Sequence, residues 1–359
     1  MKNLLCADIG ATNSRFAYFT LNPPTINGDD NPPAGEPDTL ELQAVHWLPT
    51  TPDGSLNAQL RALYNTGFPL PAAQTDLAVL AVAGPVSGGG RYSRLPLAGW
   101  EVDLAVIEQE FPFAAAVLIN DFTAQALAVL APPGSAAREI LPGQADPAGP
   151  LAIVGAGTGL GKALLLPGGG SPTAAAPTRP TPLVIPSEGG HADFPFAGGR
   201  ERDYLEFLRQ QRHEERISGN TVVSGQGLAY LHHFLTGEQL APAAVVKRCH
   251  PDSPTLAWAA RFYGRVCRNY ALETLATGGL YIAGGVAAKA PELLTHAEFA
   301  REFHHSPTMG ELLQKIPIRL INDQNSGLWG AAIQASLLLA HPAPAGTPLQ
   351  NGHQACSKP

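Results

Sequence analysis

Cysteine is scarce in this chain. Four residues in 359, Cys6, Cys249, Cys267 and Cys356, lie far apart and without metal-type spacing. A chain this long needs no disulfide framework to hold a core, so a reducing cytoplasm is the expected compartment. Charge is sparse as well, 15% of residues, where an average domain carries roughly 25%. The balance is acidic, 23 basic against 30 acidic side chains for a net −7. Nothing in that balance points to a nucleic-acid or anionic-membrane surface, which needs clustered Lys and Arg. No apolar run reaches the roughly 18 residues that span a bilayer. In the opening MKNLLCADIG, Asp8 ends the apolar run too early for a secretion signal.

Glycine and proline, by contrast, are plentiful at 38 and 34 residues. They follow no period, which excludes collagen and predicts long, turn-rich loops at 22–37, 87–90, 131–150 and 167–182. The segment after 341 is expected to lack fixed structure. A hydrophobic share of 45% is ample for a core, and about 150 residues per domain predicts two domains. Strands are expected at 4–9, 15–19, 76–83, 115–119, 151–154, 162–166, 280–283 and 316–321. The longest helix is predicted from the cap Asp252-Ser253-Pro254 to Thr277, stopped by Gly278-Gly279, and a last helix spans 326–339. Strands alternating with helices make this an α/β protein. No internal repeat of fixed period is visible.

Five segments can carry chemistry. Asp8-Ile9-Gly10-Ala11-Thr12-Asn13-Ser14-Arg15 joins two apolar runs through small residues, a turn whose backbone N–H groups can face a phosphate. An ordinary hairpin capped by Asp8 is the plainer reading, although a carboxylate ending an apolar strand is costly to bury without a metal or donor. Gly155-Ala156-Gly157-Thr158-Gly159-Leu160-Gly161-Lys162 fails both as a Walker A, since Ala156 and Ala163 stand at required Gly and Ser/Thr positions, and as a dinucleotide fingerprint. Glycine at every second position leading into a strand fits a hairpin turn that exposes backbone and a hydroxyl to phosphate. In Ile119-Asn120-Asp121-Phe122-Thr123, Asp121 is either the cap of a helix or a general base at a strand's carboxyl end; the segment alone favours the cap. Ser187-Glu188-Gly189-Gly190-His191 sets an acid and an imidazole three residues apart, suited to vicinal hydroxyls of a sugar. A metal is the rival there, but no second His or Cys lies at ligand spacing. Gly284-Gly285 follows a strand and leaves space for a flat base or ribose. His232-His233 and His304-His305 are expected on helix surfaces or loops.

In this order the five segments resemble the bacterial glucokinase family of the hexokinase and actin-like ATPase superfamily, over about residues 8–335. The resemblance implies a two-domain actin-like ATPase (ribonuclease H-like) fold with a central interdomain cleft. It places residues 1–131 plus about 323–345 in a small α/β domain and 132–322 in a large one, while composition makes 346–359 a disordered tail. It also implies ATP and Mg²⁺ as cofactors, a hexose, foremost glucose, as substrate, and a homodimer. On the matching positions, Asp8, Ile9, Gly10, Ala11, Thr12 and Asn13 form a first phosphate loop, with Asp8 meeting Mg²⁺ through water. Gly157, Thr158 and Gly159 belong to the second phosphate loop, and Gly284 and Gly285 to the adenosine segment. Asn120 and Asp121 match the sugar-binding Asn and the catalytic Asp; Glu188 and His191 match residues that hold glucose hydroxyls. The Cys-rich zinc motif of the related ROK (repressor/kinase) sugar kinases is absent. Three positions depart from the family pattern. Ala11 stands where Gly is usual, and Ser93-Arg94-Leu95 replaces a Thr-Asn pair. Asn220 occupies the place of a glucose-binding Glu, where it would lack the strength of a charge-assisted contact. These departures leave open another hexose (mannose, glucosamine or fructose) or a sugar-binding regulator without turnover.

Overall fold

A strand that is apolar without alternation must be covered on both faces. Lys2–Ile9, Leu77–Val82 and Ala116–Asn120 are of this kind. They are the parallel part of a five-stranded sheet ordered Thr39–Pro49, Asn13–Asn22, Lys2–Ile9, Leu77–Val82, Ala116–Asn120. One face packs Leu5, Ile9 and Leu80 against Leu60, Trp100 and Ile107; the other packs Leu4, Val79 and Ala81 against Leu328, Ala331 and Ala335 of the helix Ser326–Ala340. A three-stranded sheet, Val86–Ser87, Tyr92–Leu95 and Trp100–Asp103, adjoins it in the chain. The computed structural model describes residues 1–23, 38–51, 53–168, 181–248 and 250–340. The tail, most of the loops expected at 22–37 and 167–182, and Cys249 and Cys356 therefore lie outside the described residues.

The Gly- and Ala-rich last helix owes its composition to a close approach. A Cβ at Gly330 would overlap the backbone carbonyl of Ala124 in the helix Asp121–Leu127. Gly330→Ala is expected to destabilise the fold by about 1–3 kcal/mol through overpacking. Urea denaturation measures this, and an unchanged midpoint would contradict the packing.

A six-stranded sheet follows the order Leu183–Ser187, Leu160–Leu166, Leu151–Ala156, Gly279–Ala283, Ile318–Leu320, Arg138–Leu141. Its first five strands repeat the order and senses of the five-stranded sheet: two antiparallel pairings, then two parallel ones. This duplication is invisible as a sequence repeat. Contacts divide the chain into two units, Met1–Pro132 with the segment from Asn325 onward, and Pro133–Gln324.

Several expectations change. The stretch 131–150 is not all loop, for it holds the helix Pro132–Ser135 and the edge strand Arg138–Leu141. That strand is half exposed and only four residues long, so it leaves no periodicity to read. The long helix begins as predicted, with Ser253 Oγ accepting from Leu256 N–H at 3.2 Å, but ends at Thr274. Leu275, in the left-handed conformation at φ 49°, terminates it before the glycines. His232 is buried, not on a surface, its Nδ1 3.1 Å from Thr255 Oγ1, because that face of the helix Gly225–Thr236 packs on the start of the long helix. The helices Leu56–Asn65, Arg200–Arg212 and Gly225–Thr236 and the strand Thr39–Pro49 had no sequence assignment. Cys6 and Cys267 are buried free thiols whose pKa burial pushes up. Among the described residues no helix is long and apolar enough to cross a membrane.

Candidate active site

Parallel strands place their carboxyl ends at one sheet edge, where open α/β sheets bind ligands. In the first unit this edge holds both predicted segments. Asp8 and Ile9 end the first strand, Gly10 to Thr12 form the turn, and Asn13 opens the next strand. The turn is closed by Gly10 N–H donating to Asn13 O at 3.1 Å. Ile9 is in register with Val82, and Val82 with Asn120. Asn120 thus lies two strand spacings from Ile9, about 10 Å.

Asn120, and not Asp121, caps the helix Asp121–Leu127: its Oδ1 accepts from Phe122 N–H at 2.9 Å and Thr123 N–H at 3.3 Å. The Asn120 amide in turn donates to Gly84 O at 3.2 Å. Asp121 occupies the first helical turn, half-buried, with Oδ1 accepting from Phe122 N–H at 3.0 Å. The expectation that favoured Asp121 as the cap is corrected by one position. The physical reason is the backbone at residue 120, which is extended (φ −68°, ψ 146°), as a cap requires.

Asp8 is 7% exposed. Burial pushes its carboxyl above the ordinary value; the charge and hydrogen bond of Arg15 offset part of this. Arg15 Nη1 donates to Asp8 Oδ2 at 2.9 Å, and its guanidinium lies 4.4 Å from the centre of the Trp47 ring. No role was expected for Arg15. The signal was available: a hairpin whose turn begins after Ile9 brings residues 8 and 15 into register. In the departing segment, Ser93 is buried with Oγ donating to Pro85 O at 3.0 Å, and Arg94 is exposed.

In the second unit Gly157 to Gly159 form the turn between Leu151–Ala156 and Leu160–Leu166, with Thr158 exposed. Tyr263 Oη accepts from Ala156 N–H at 3.2 Å, anchoring the strand just before the turn. Gly284 directly follows the neighbouring parallel strand Gly279–Ala283 at φ 92°, and a Cβ there would sit 2.7 Å from Ala156 O. Only glycine suits that position. Gly284 and Gly285 are exposed beside the phosphate-type turn. Glu188 and His191, also exposed, place Oε2 and Nε2 3.8 Å apart around a short turn. The Gly190 backbone packs against the Leu160 carbonyl, and Gly219 N–H donates to Ala192 O at 2.9 Å. Asn220, half-buried, accepts from Leu160 N–H through Oδ1. The second unit therefore gathers the turn, the Glu188–His191 segment, Asn220 and Gly284-Gly285; the first gathers Asp8 to Asn13 with Asn120 and Asp121.

The fold is that of sugar kinases. The chain is similar to the crystal structure of a glucokinase from an Antarctic psychrotroph at a TM-score of 0.69 and 28% identity, covering 93% of this chain and 98% of that one. It shares its fold with the Balamuthia mandrillaris glucokinase solved in complex with glucose, at a TM-score of 0.72, 20% identity and 93% coverage of each chain. In sequence it is 31% identical to a glucokinase of Synechocystis sp. over 369 aligned residues, 93% of this chain and 98% of the relative. The glucokinase family profile matches residues 5–338, and the chain belongs to that family.

Proposed function

We propose that this chain transfers the γ-phosphoryl group of ATP to the 6-hydroxyl of glucose, with Asp121 as general base. The reading assigns Asn120, Glu188 and His191 to the hexose and the turns at Gly10 and Gly157 to the phosphates, with Gly284-Gly285 against the adenosine. The observation that supports it best is the split of duties at the end of Ala116–Asn120: Asn120 takes the capping bonds, and a carboxylate follows it at the sheet's ligand-binding edge. Phosphoryl transfer asks mainly for positioning and charge neutralisation, which backbone donors in tight turns supply. Asp121 takes the proton of the attacking hydroxyl.

Asp8 suits Mg²⁺ through water. It is a hard oxygen donor of which Arg15 engages Oδ2, and Mg²⁺ favours one or two carboxylates with substrate phosphates and retained waters. Among the described residues no group of three or more His, Cys, Asp or Glu could hold a metal, so Asp8 would act alongside the nucleotide's own oxygens. When bound, Mg²⁺ neutralises charge on the β- and γ-phosphates. Asp8→Asn is expected to raise the Mg²⁺ concentration for half-maximal rate about tenfold, the effect of losing an outer-sphere partner. An unaltered Mg²⁺ titration would remove Asp8 from this role.

A coupled assay for glucose 6-phosphate, run with calorimetry for glucose, tests the whole reading. Glucose bound without turnover would favour a regulator. Faster turnover of mannose, glucosamine or fructose would change the hexose but keep the reaction.

A further inference from the structure

We infer that Asn220 is a positioning residue for the phosphate-donor turn rather than a ligand of the sugar. The inference rests on the proposed role of Gly157 to Gly159. Asn220 follows Ser218, whose hydroxyl caps the short helix Gly219–Val222, and Ser218 is bridged to Asp193. From that seat its side-chain carbonyl accepts the backbone N–H of Leu160, the first residue of the strand leaving the turn.

The contact is close along its whole length. A Cβ on Gly159 would lie 2.5 Å from Asn220 Oδ1 and 3.2 Å from both Cγ and Nδ2, so the turn lies directly against the amide. The other side of the turn is held by Gly225 N–H donating to Gly157 O at 2.9 Å, and Gly157 N–H closes on Gly159 O at 2.7 Å. Two consecutive helix starts, at 219 and 225, thus hold the turn between them, one through a side chain and one through backbone.

The chemistry suits a neutral amide. Its Oδ1 supplies the acceptor that Leu160 N–H needs, and it sets no negative charge beside a turn meant for phosphates. With one lone pair of Oδ1 engaged by Leu160 N–H, the amide is already committed to the turn. Asn220 also links the two jobs of this unit, because the segment carrying it is tied to Ala192, next to His191.

The test uses the full chain and measures hydrogen exchange of the peptide spanning 157–161, KM for ATP, ADP binding, and glucose binding without nucleotide. In Asn220→Leu, exchange at Leu160 speeds up about tenfold and KM for ATP rises about tenfold, the effect of one lost hydrogen bond. Glucose binding stays at the wild-type value. Asn220→Asp, which keeps an acceptor oxygen in place, restores slow exchange. If Asn220→Leu does not fold, Asn220→Ala removes the acceptor without adding bulk and serves the same comparison. Unchanged exchange and KM for ATP, with weakened glucose binding, would overturn the inference and return Asn220 to the sugar. Should the wild-type chain not phosphorylate glucose, the proposed function fails on its own, and exchange with ADP binding still decides the role of Asn220.

Discussion

Asp121→Asn is expected to lower kcat by at least about 100-fold, the low end for a lost general base. The amide has the shape of the carboxylate and can still accept from Phe122 N–H, as Asp121 Oδ1 does at 3.0 Å. The first turn of Asp121–Leu127 should therefore persist, because its cap is Asn120. What the variant lacks is an atom able to take the proton of the 6-hydroxyl. The signature is a fall in kcat at saturating glucose and ATP, with glucose affinity and thermal midpoint close to wild type. A native rate would show that the base lies elsewhere. A lost fold would show that residue 121 has a structural role beyond the cap.

Arg265→Met is expected to cost about 3–5 kcal/mol of stability, the effect of removing one partner from a buried charge network. Arg265 is 5% exposed, and its guanidinium meets Glu201 Oε2 at 2.6 Å, Glu201 Oε1 at 3.0 Å, Glu302 Oε1 at 2.8 Å and Pro195 O at 3.0 Å. Methionine fills similar space but takes from Glu201 its two-pronged partner and from Glu302 one of its two arginines, and it releases the Pro195 carbonyl a few residues after His191. Arg268 alone, 2.9 Å from Glu302 Oε1, does not replace it. Burial pushes the Glu302 carboxyl up, but the hydrogen bonds and charges of Arg265 and Arg268 outweigh it and hold the group below its ordinary value. A carboxyl with a lowered folded pKa adds stability above its unfolded pKa and loses it as pH falls through the folded one. Wild type should therefore weaken across and below the usual carboxylate range, and Glu302→Gln should flatten that acid limb. Urea midpoints at several pH values measure both effects; an acid limb unchanged in Glu302→Gln would place the dependence on other groups.

The segments legible in the sequence share one property: each is a strand end followed at once by a turn or a helix start. Asp8 with Gly10, Asn120 with Asp121, and Gly157 to Gly159 announce themselves because an apolar run gives way to small or polar residues within a few positions. That change is a local event with a local cause, the need of a turn for space and for backbone donors. The N-terminus of Pro254–Thr274 is legible for the same reason, since Ser253 and Pro254 cap it from adjacent positions. Its C-terminus was not, because Leu275 holds a left-handed conformation that its own side chain does not favour.

Pattern alone was thus enough to establish an α/β chain, the likeness to glucokinases and the strand ends that carry the proposed chemistry. Tertiary structure alone decided which polar side chain meets which. Asn220 reaches Leu160 from 60 positions along the chain, and Arg265 gathers Pro195, Glu201 and Glu302. It also decided that both units use one strand order. The reason is energetic. A buried polar group must find a partner wherever the fold brings one within reach, and that reach is set by sheet order and helix packing rather than by neighbours in sequence.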